Sequence, residues 1–136
     1  MIGLVCENPN NIDVKEFSDN NITIFSNSQI ISDNPRLSLF SKCMSYHFEG
    51  VIITTSLQDA LSVIDNNLCE KKVFWVGSID WHKYSPLLYG DILKVFNNKD
   101  IKILAKDENI FNILKSFIRE PDGVMRSIDT DKILEI

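Results

Sequence analysis

The residues best equipped for chemistry gather between positions 75 and 84, where Trp75 is followed by Asp80-Trp81-His82-Lys83-Tyr84. Indole and phenol rings stack on sugars, and Asp80 or His82 can hydrogen-bond hydroxyls or act as a base. Against this stands the commoner use of such residues: Trp75 as core, Trp81 as cover for a helix end, and the polar side chains in water. A second group is Thr54-Thr55-Ser56. It combines hydroxyls with free backbone N–H groups at a strand-to-helix junction, where an anion or a hydroxyl can bind. Ser and Thr are also preferred there simply as helix caps. Ser78, close in sequence to Asp80 and His82, has the residue types of a hydrolase but lacks the G-x-S-x-G elbow, so that reading is set aside. The candidate ligand-binding set is therefore Thr54, Thr55, Ser78, Asp80 and Trp81, with Asp80 and His82 as the only candidates for acid–base work.

Other chemistries lack their residues. A dinucleotide site needs glycines after the first strand so that a pyrophosphate can approach the helix N-terminus, and here that segment is Glu7-Asn8-Pro9-Asn10. No G-x-x-x-x-G-K-[ST] is present either. His47 and His82 have no partner at i+4, and Cys6, Cys43 and Cys69 have no ligand spacing, so neither a metal nor a cofactor is expected. The odd, widely spaced cysteines read as core thiols in a reducing compartment. A net charge of -5 and a pI near 4.9 give no electrostatic reason to bind nucleic acid. A phosphoacceptor receiver domain would need a central Asp where Thr54-Thr55 stand, and is rejected.

These residues need a scaffold to position them. With 136 residues, 44% of them hydrophobic, the chain suits a single domain spanning 1–136. Apolar runs at Ile2–Cys6, Val51–Thr54, Lys72–Val76 and Ile101–Ala105 predict buried, central strands. Asn21–Phe25 alternates as a further strand, Gln29-Ile-Ile31 suggests an edge piece, and Gly123–Arg126 a last short strand. Helices are expected over Pro35–Phe48, with Leu37, Phe40 and Met44 as its buried stripe, and over Leu57–Ile64, capped by Ser56 or Thr55. Others are expected after Ser85-Pro86 as far as Phe96, and after Asp107, with Ile110, Phe111, Leu114, Phe117 and Ile118 at helical spacing. A final turn after Asp129 carries Ile133 and Leu134. Strands alternating with helices predict α/β architecture, a three-layer α/β/α Rossmann-like domain with a mostly parallel sheet. Ligands of such sheets bind beyond the carboxyl ends of the strands, which selects the loops after Cys6, Thr54, Val76 and Ala105.

Within this frame, Val51-Ile-Ile-Thr-Thr-Ser-Leu-Gln-Asp-Ala60 and Lys71-Lys-Val-Phe-Trp-Val-Gly-Ser-Ile-Asp-Trp81 form an ordered set. Asp100-Ile-Lys-Ile-Leu-Ala-Lys-Asp-Glu-Asn109 and the run from Gly123 to Ile133 extend it. Together they resemble short glycosyltransferase-like proteins of tailed bacteriophages and the end of the N-terminal, Rossmann-like half of GT-B glycosyltransferases. The resemblance covers residues 50–136, and residues 1–49 agree in pattern only. Lys106-Asp107-Glu108 stands where a serine is usual, and Arg126-Ser127-Ile128-Asp129 replaces an Asn-Gly-Val-Asp turn, of which Asp129 alone is retained.

The resemblance implies the acceptor-side half of a GT-B fold, binding a sugar nucleotide or a glycosylated acceptor. Catalysis would then need a partner chain or a homodimer to supply the second wall of the cleft. The alternative is a non-catalytic interaction module that grips a host protein or a small nucleotide. Expected partners are thus a nucleotide-sugar or sugar ligand and a homo-oligomer or host protein, with neither nucleic acid nor membrane. The expected location is cytoplasmic, the host cytoplasm for a phage product. There the Asn21-Ile22-Thr23 glycosylation sequon has no use.

Overall fold

The computed structural model describes residues 1–7, 22–28, 37–79 and 89–136. The four expected apolar runs are strands: β1 (Ile2–Val5), β4 (Val51–Thr54), β5 (Lys71–Val76) and β6 (Ile101–Ala105). They are joined by β2 (Ile22–Phe25), β3 (Leu37–Phe40) and the two-residue β7 (Gly123–Val124). The seven form one sheet in the order β3-β2-β1-β4-β5-β6-β7. Every pairing is parallel; β1 sets Ile2 against Ile22 on one side and against Val51 on the other.

A parallel sheet must be covered on both faces, because its crossovers carry helices back over it. Alternate residues supply the two cores. One face presents Leu4, Ile24, Ile53, Val73 and Leu104, which pack with Met125, Ile128 and Ile133. Ile133 belongs to α4 (Thr130–Glu135). The other face presents Phe74, Val76, Ile103 and Ala105 to α1 (Leu57–Val63), α2 (Tyr89–Phe96) and α3 (Glu108–Phe117). The domain is therefore α/β and Rossmann-like, with helices on both faces of the sheet. Among the described residues no helix is long and apolar enough to cross a membrane.

The caps follow local chemistry. The Ser56 hydroxyl accepts from the Asp59 N–H (3.1 Å), and the Asp107 carboxylate accepts from the Ile110 N–H (2.8 Å). Asp129 accepts from the N–H groups of Asp131 and Lys132. Each satisfies donors that the first helical turn leaves open.

The helix expected over Pro35–Phe48 is not formed. Leu37–Phe40 is the edge strand β3, Ser41 is extended, and Lys42–His47 makes a 3-10 helix. The spacing of Leu37, Phe40 and Met44 fits a helix, but Leu37–Phe40 gains a full ladder against β2, with Phe25 opposite Phe40. Pairing at the sheet edge outweighs periodicity there. Consequently Phe40 and Met44 are exposed rather than buried. The expected edge piece at Gln29-Ile-Ile31 lies outside the described residues. Two more stripe residues correct the same way: Phe117 and Leu134 point to solvent, as α3 turns Ile110 and Leu114 fully inward and α4 turns Thr130 and Ile133.

The α3 face gives a direct test. Leu114 is 1% exposed and Phe117 79%. Leu114→Ala should therefore cost about 2–5 kcal/mol in urea denaturation. Phe117→Ala should stay within about 0.5 kcal/mol of wild type. The reverse ranking would mean that α3 packs on its other side.

Candidate functional site

The strand order reverses between β1 and β4. From β1 the chain builds outward through β2 to β3, then crosses back to lay β4 on the far side of β1. Open parallel sheets bind their ligands in a crevice outside the carboxyl ends of the strands, at such a reversal.

One side chain bridges that crevice. Lys42, the first residue after β3 and Ser41, sends its ammonium to Glu7 Oε1 just beyond β1 (2.5 Å) and to Asp59 Oδ1 in the first turn of α1 (2.9 Å). Its backbone N–H donates to the Asn27 side chain beyond β2 (3.3 Å). The ends of four neighbouring strands are thereby tied together through one residue. Burial alone would pull the Lys42 pKa down, but hydrogen bonds and charge attraction from Glu7 and Asp59 outweigh it and hold it above the ordinary 10.5.

The two carboxylates are unequal. The Glu7 side chain is 68% exposed, that of Asp59 only 4%. Asp59 Oδ1 is satisfied by Lys42, whereas Oδ2 is buried and has no hydrogen-bond partner among the described residues. A buried acceptor left open costs on the order of 1–3 kcal/mol, more for a charged group, so this oxygen calls for a donor, from an ordered water or from a ligand. Beside it, burial and then the Asp59 charge push the Cys6 thiol up to about 12, against an ordinary 9.0. Cys6 is thus a neutral packing group and no nucleophile. Among the described residues no group of His, Cys, Asp and Glu could hold a metal ion.

The residues singled out from sequence are placed as follows. Thr54 is buried, and its hydroxyl donates to the Val73 carbonyl (3.3 Å), so it holds the sheet together beneath the crevice. Thr55 and Ser56 are half-buried at the β4–α1 junction, with Ser56 engaged as the helix cap. Ser78 is exposed just beyond β5. Asp80, Trp81 and His82 lie outside the described residues. Trp75 packs against one core and donates from Nε1 to the Met125 carbonyl (2.7 Å), fixing the terminal segment on the sheet. Of the cysteines read as core thiols, Cys6 is buried, Cys69 half-buried and Cys43 exposed; Cys43 follows the corrected segment 37–48 onto the surface.

Sequence reading missed Lys42, Asp59 and Glu7. Asp59 carried one signal: it stands four residues before Val63, on a stripe that helical spacing turns inward, where a carboxylate needs a reason. Lys42 carried none, since its partners are 35 and 17 residues away.

Removing Lys42 should expose this dependence. Lys42→Met strands Asp59 and should cost about 2–3 kcal/mol, less than a fully buried pair because Lys42 is itself partly exposed. Glu7→Gln, at an exposed partner, should change stability by no more than about 0.5 kcal/mol. Because the folded Lys42 pKa is raised, its contribution is complete below 10.5 and is lost as pH climbs through the folded value. The gap between wild type and Lys42→Met in denaturant midpoint should therefore be constant near neutrality and shrink above 10.5. A gap that stays flat throughout would show that the ammonium charge is not what Asp59 requires.

Comparison of the chain with protein-family profiles, with curated proteins and with solved structures returned no match to any of them.

Proposed function

We propose that this protein is a glycosyltransferase-like binding domain that takes a sugar nucleotide or a glycosylated acceptor in the crevice between β1 and β4. The observation that carries the reading is the open, buried Asp59 Oδ2 at the strand-order reversal. It calls for a donor, and a sugar or ribose hydroxyl is the donor that such ligands bring. Lys42 holds the carboxylate in place through Oδ1, and Thr55 and Ser78 sit at the ends of the strands on the same carboxyl edge. Asp80 and Trp81 follow Ser78 in sequence and complete the proposed set. Catalysis would require a second wall, from another chain or a second copy, to exclude water and to hold a leaving group.

A second reading, an interaction module gripping a host protein, draws on another observation. Leu39, Phe40, Met44 and Tyr46 are all exposed along β3 and the 3-10 helix, at one edge of the sheet.

Thermal unfolding with nucleoside diphosphates, their sugars, and free or glycosylated acceptors separates the two readings, alongside mass measurement in solution. A ligand that binds only the folded state raises the Tm by mass action. On the first reading a sugar-bearing ligand stabilises the wild type, and Asp59→Asn weakens it by at least about tenfold, the loss expected for a hydrogen bond to a charged group. Equal affinity in Asp59→Asn would move the ligand away from the crevice. No stabilisation by any of them, with a stable oligomer or protein complex instead, would replace the first reading with the second.

A further inference from the structure

At the opposite, amino edge of the sheet, the starts of β5 and β6 and the segments leading into them line a half-open cavity of about 430 Å³. Lys71, Lys72, Lys99 and Lys102 line it, with Glu70 and Asp100 as the only carboxylates. Four ammonium charges against two carboxylates leave two positive charges uncompensated, in a chain whose net charge is -5. None of the four lysines is ion-paired among the described residues.

Their placement is built into the fold. Lys71 and Lys72 are consecutive strand residues and so leave the sheet on opposite faces. Lys71 Nζ donates to the Ile133 carbonyl in α4 (3.2 Å), and Lys72 Nζ to the Ile64 carbonyl at the end of α1 (2.7 Å). A carbonyl fixes an ammonium without cancelling its charge, so two positive charges are held in place beforehand. Lys99 is exposed and Lys102 half-buried, and neither side chain donates a hydrogen bond among the described residues. Two carbonyl-held ammonium groups, one on each face of the sheet, and two unbonded ones thus stand at this edge, and the unbonded pair can turn onto an anion.

The geometry points to an anion-binding site here for a small molecule carrying at least two phosphate charges. The cavity lies within the roughly 300–1,000 Å³ range of ligand pockets and exceeds what a single phosphate fills. The length of β5 puts it about 20 Å from the Asp59 crevice, so the two sites are separate and either can fail alone.

Calorimetric titration of the full chain with inorganic pyrophosphate and, separately, with ADP tests the proposal. Both should bind saturably at low salt and weaken as salt rises. Lys99→Gln/Lys102→Gln should weaken both by at least about tenfold while the Tm without ligand is unchanged, because neither side chain is bonded. ADP binding more tightly than pyrophosphate assigns a nucleotide, and equal affinities assign the phosphate groups alone. In the wild type, the backbone amide signals of residues 99–102 should shift on pyrophosphate addition, which reads the site even if the double variant folds poorly. Absence of saturable binding, unchanged affinity in a folded double variant, or affinity lost in Lys42→Met instead would overturn the assignment.

Discussion

The structure turns on the position of β1, which is paired in parallel on both sides and buried along its whole length. A parallel neighbour is reached only by a crossover, so two such neighbours force the chain to leave β1 in one direction and return in the other. The crevice follows from that reversal rather than from any loop motif. Two glycines make the return close. Gly3 carries no Cβ where the Phe25 and Phe48 rings stand at 3.0 Å, and at Gly50 a Cβ would lie 2.3 Å from the Met1 carbonyl. The chain therefore enters β4 in contact with the start of β1, and the Val51 N–H donates to that same carbonyl.

Crossovers hold their course because buried polar groups bind them to the sheet. The Asn66 amide donates to the carbonyls of Ser45 and Phe48, and its oxygen accepts from the Leu68 and Cys69 N–H groups. One fully used amide thus locks the 3-10 helix to the turn after α1. Arg119 does the same beyond α3, donating to the Phe96 and Asn98 carbonyls while pairing with Asp122, which in turn accepts from the Ile103 N–H. Lys42 differs from these anchors in one respect: it serves two carboxylates, and one of them keeps an oxygen open.

Local chemistry was legible and remote chemistry was not. Strands at residues 51–54 and 101–105 announce themselves because both faces are buried and every residue but Lys102 is apolar or small. The Asp107 and Ser56 caps announce themselves because a cap is a contact across three residues. The Pro35–Phe48 segment misleads because its apolar spacing suits two structures, and a strand partner at the sheet edge decides between them. Phe117 misleads because the stripe on α3 is narrower than its apolar residues suggest. The Lys42–Asp59–Glu7 tie was beyond reach, since it exists only once β3, β1 and β4 are set side by side.

The charges at the two edges also discriminate between ligands. At the crevice, one ammonium meets two carboxylates, so the local charge is negative, and the Glu7-Asn8-Pro9-Asn10 segment has no glycine to let a backbone approach phosphates. A diphosphate would have to enter against Glu7 and Asp59, while a neutral, hydroxyl-rich group meets only an acceptor in need of a donor. Of the two ligands that the glycosyltransferase-like reading admits at this edge, electrostatics therefore favours the glycosylated acceptor over the sugar nucleotide. Phosphate charge is better matched at the amino edge, where four lysines outnumber their carboxylates. On the two proposals together, an acidic carboxyl edge and a basic amino edge would sort hydroxyl-bearing from phosphate-bearing molecules, because like-charge approach is penalised at each end.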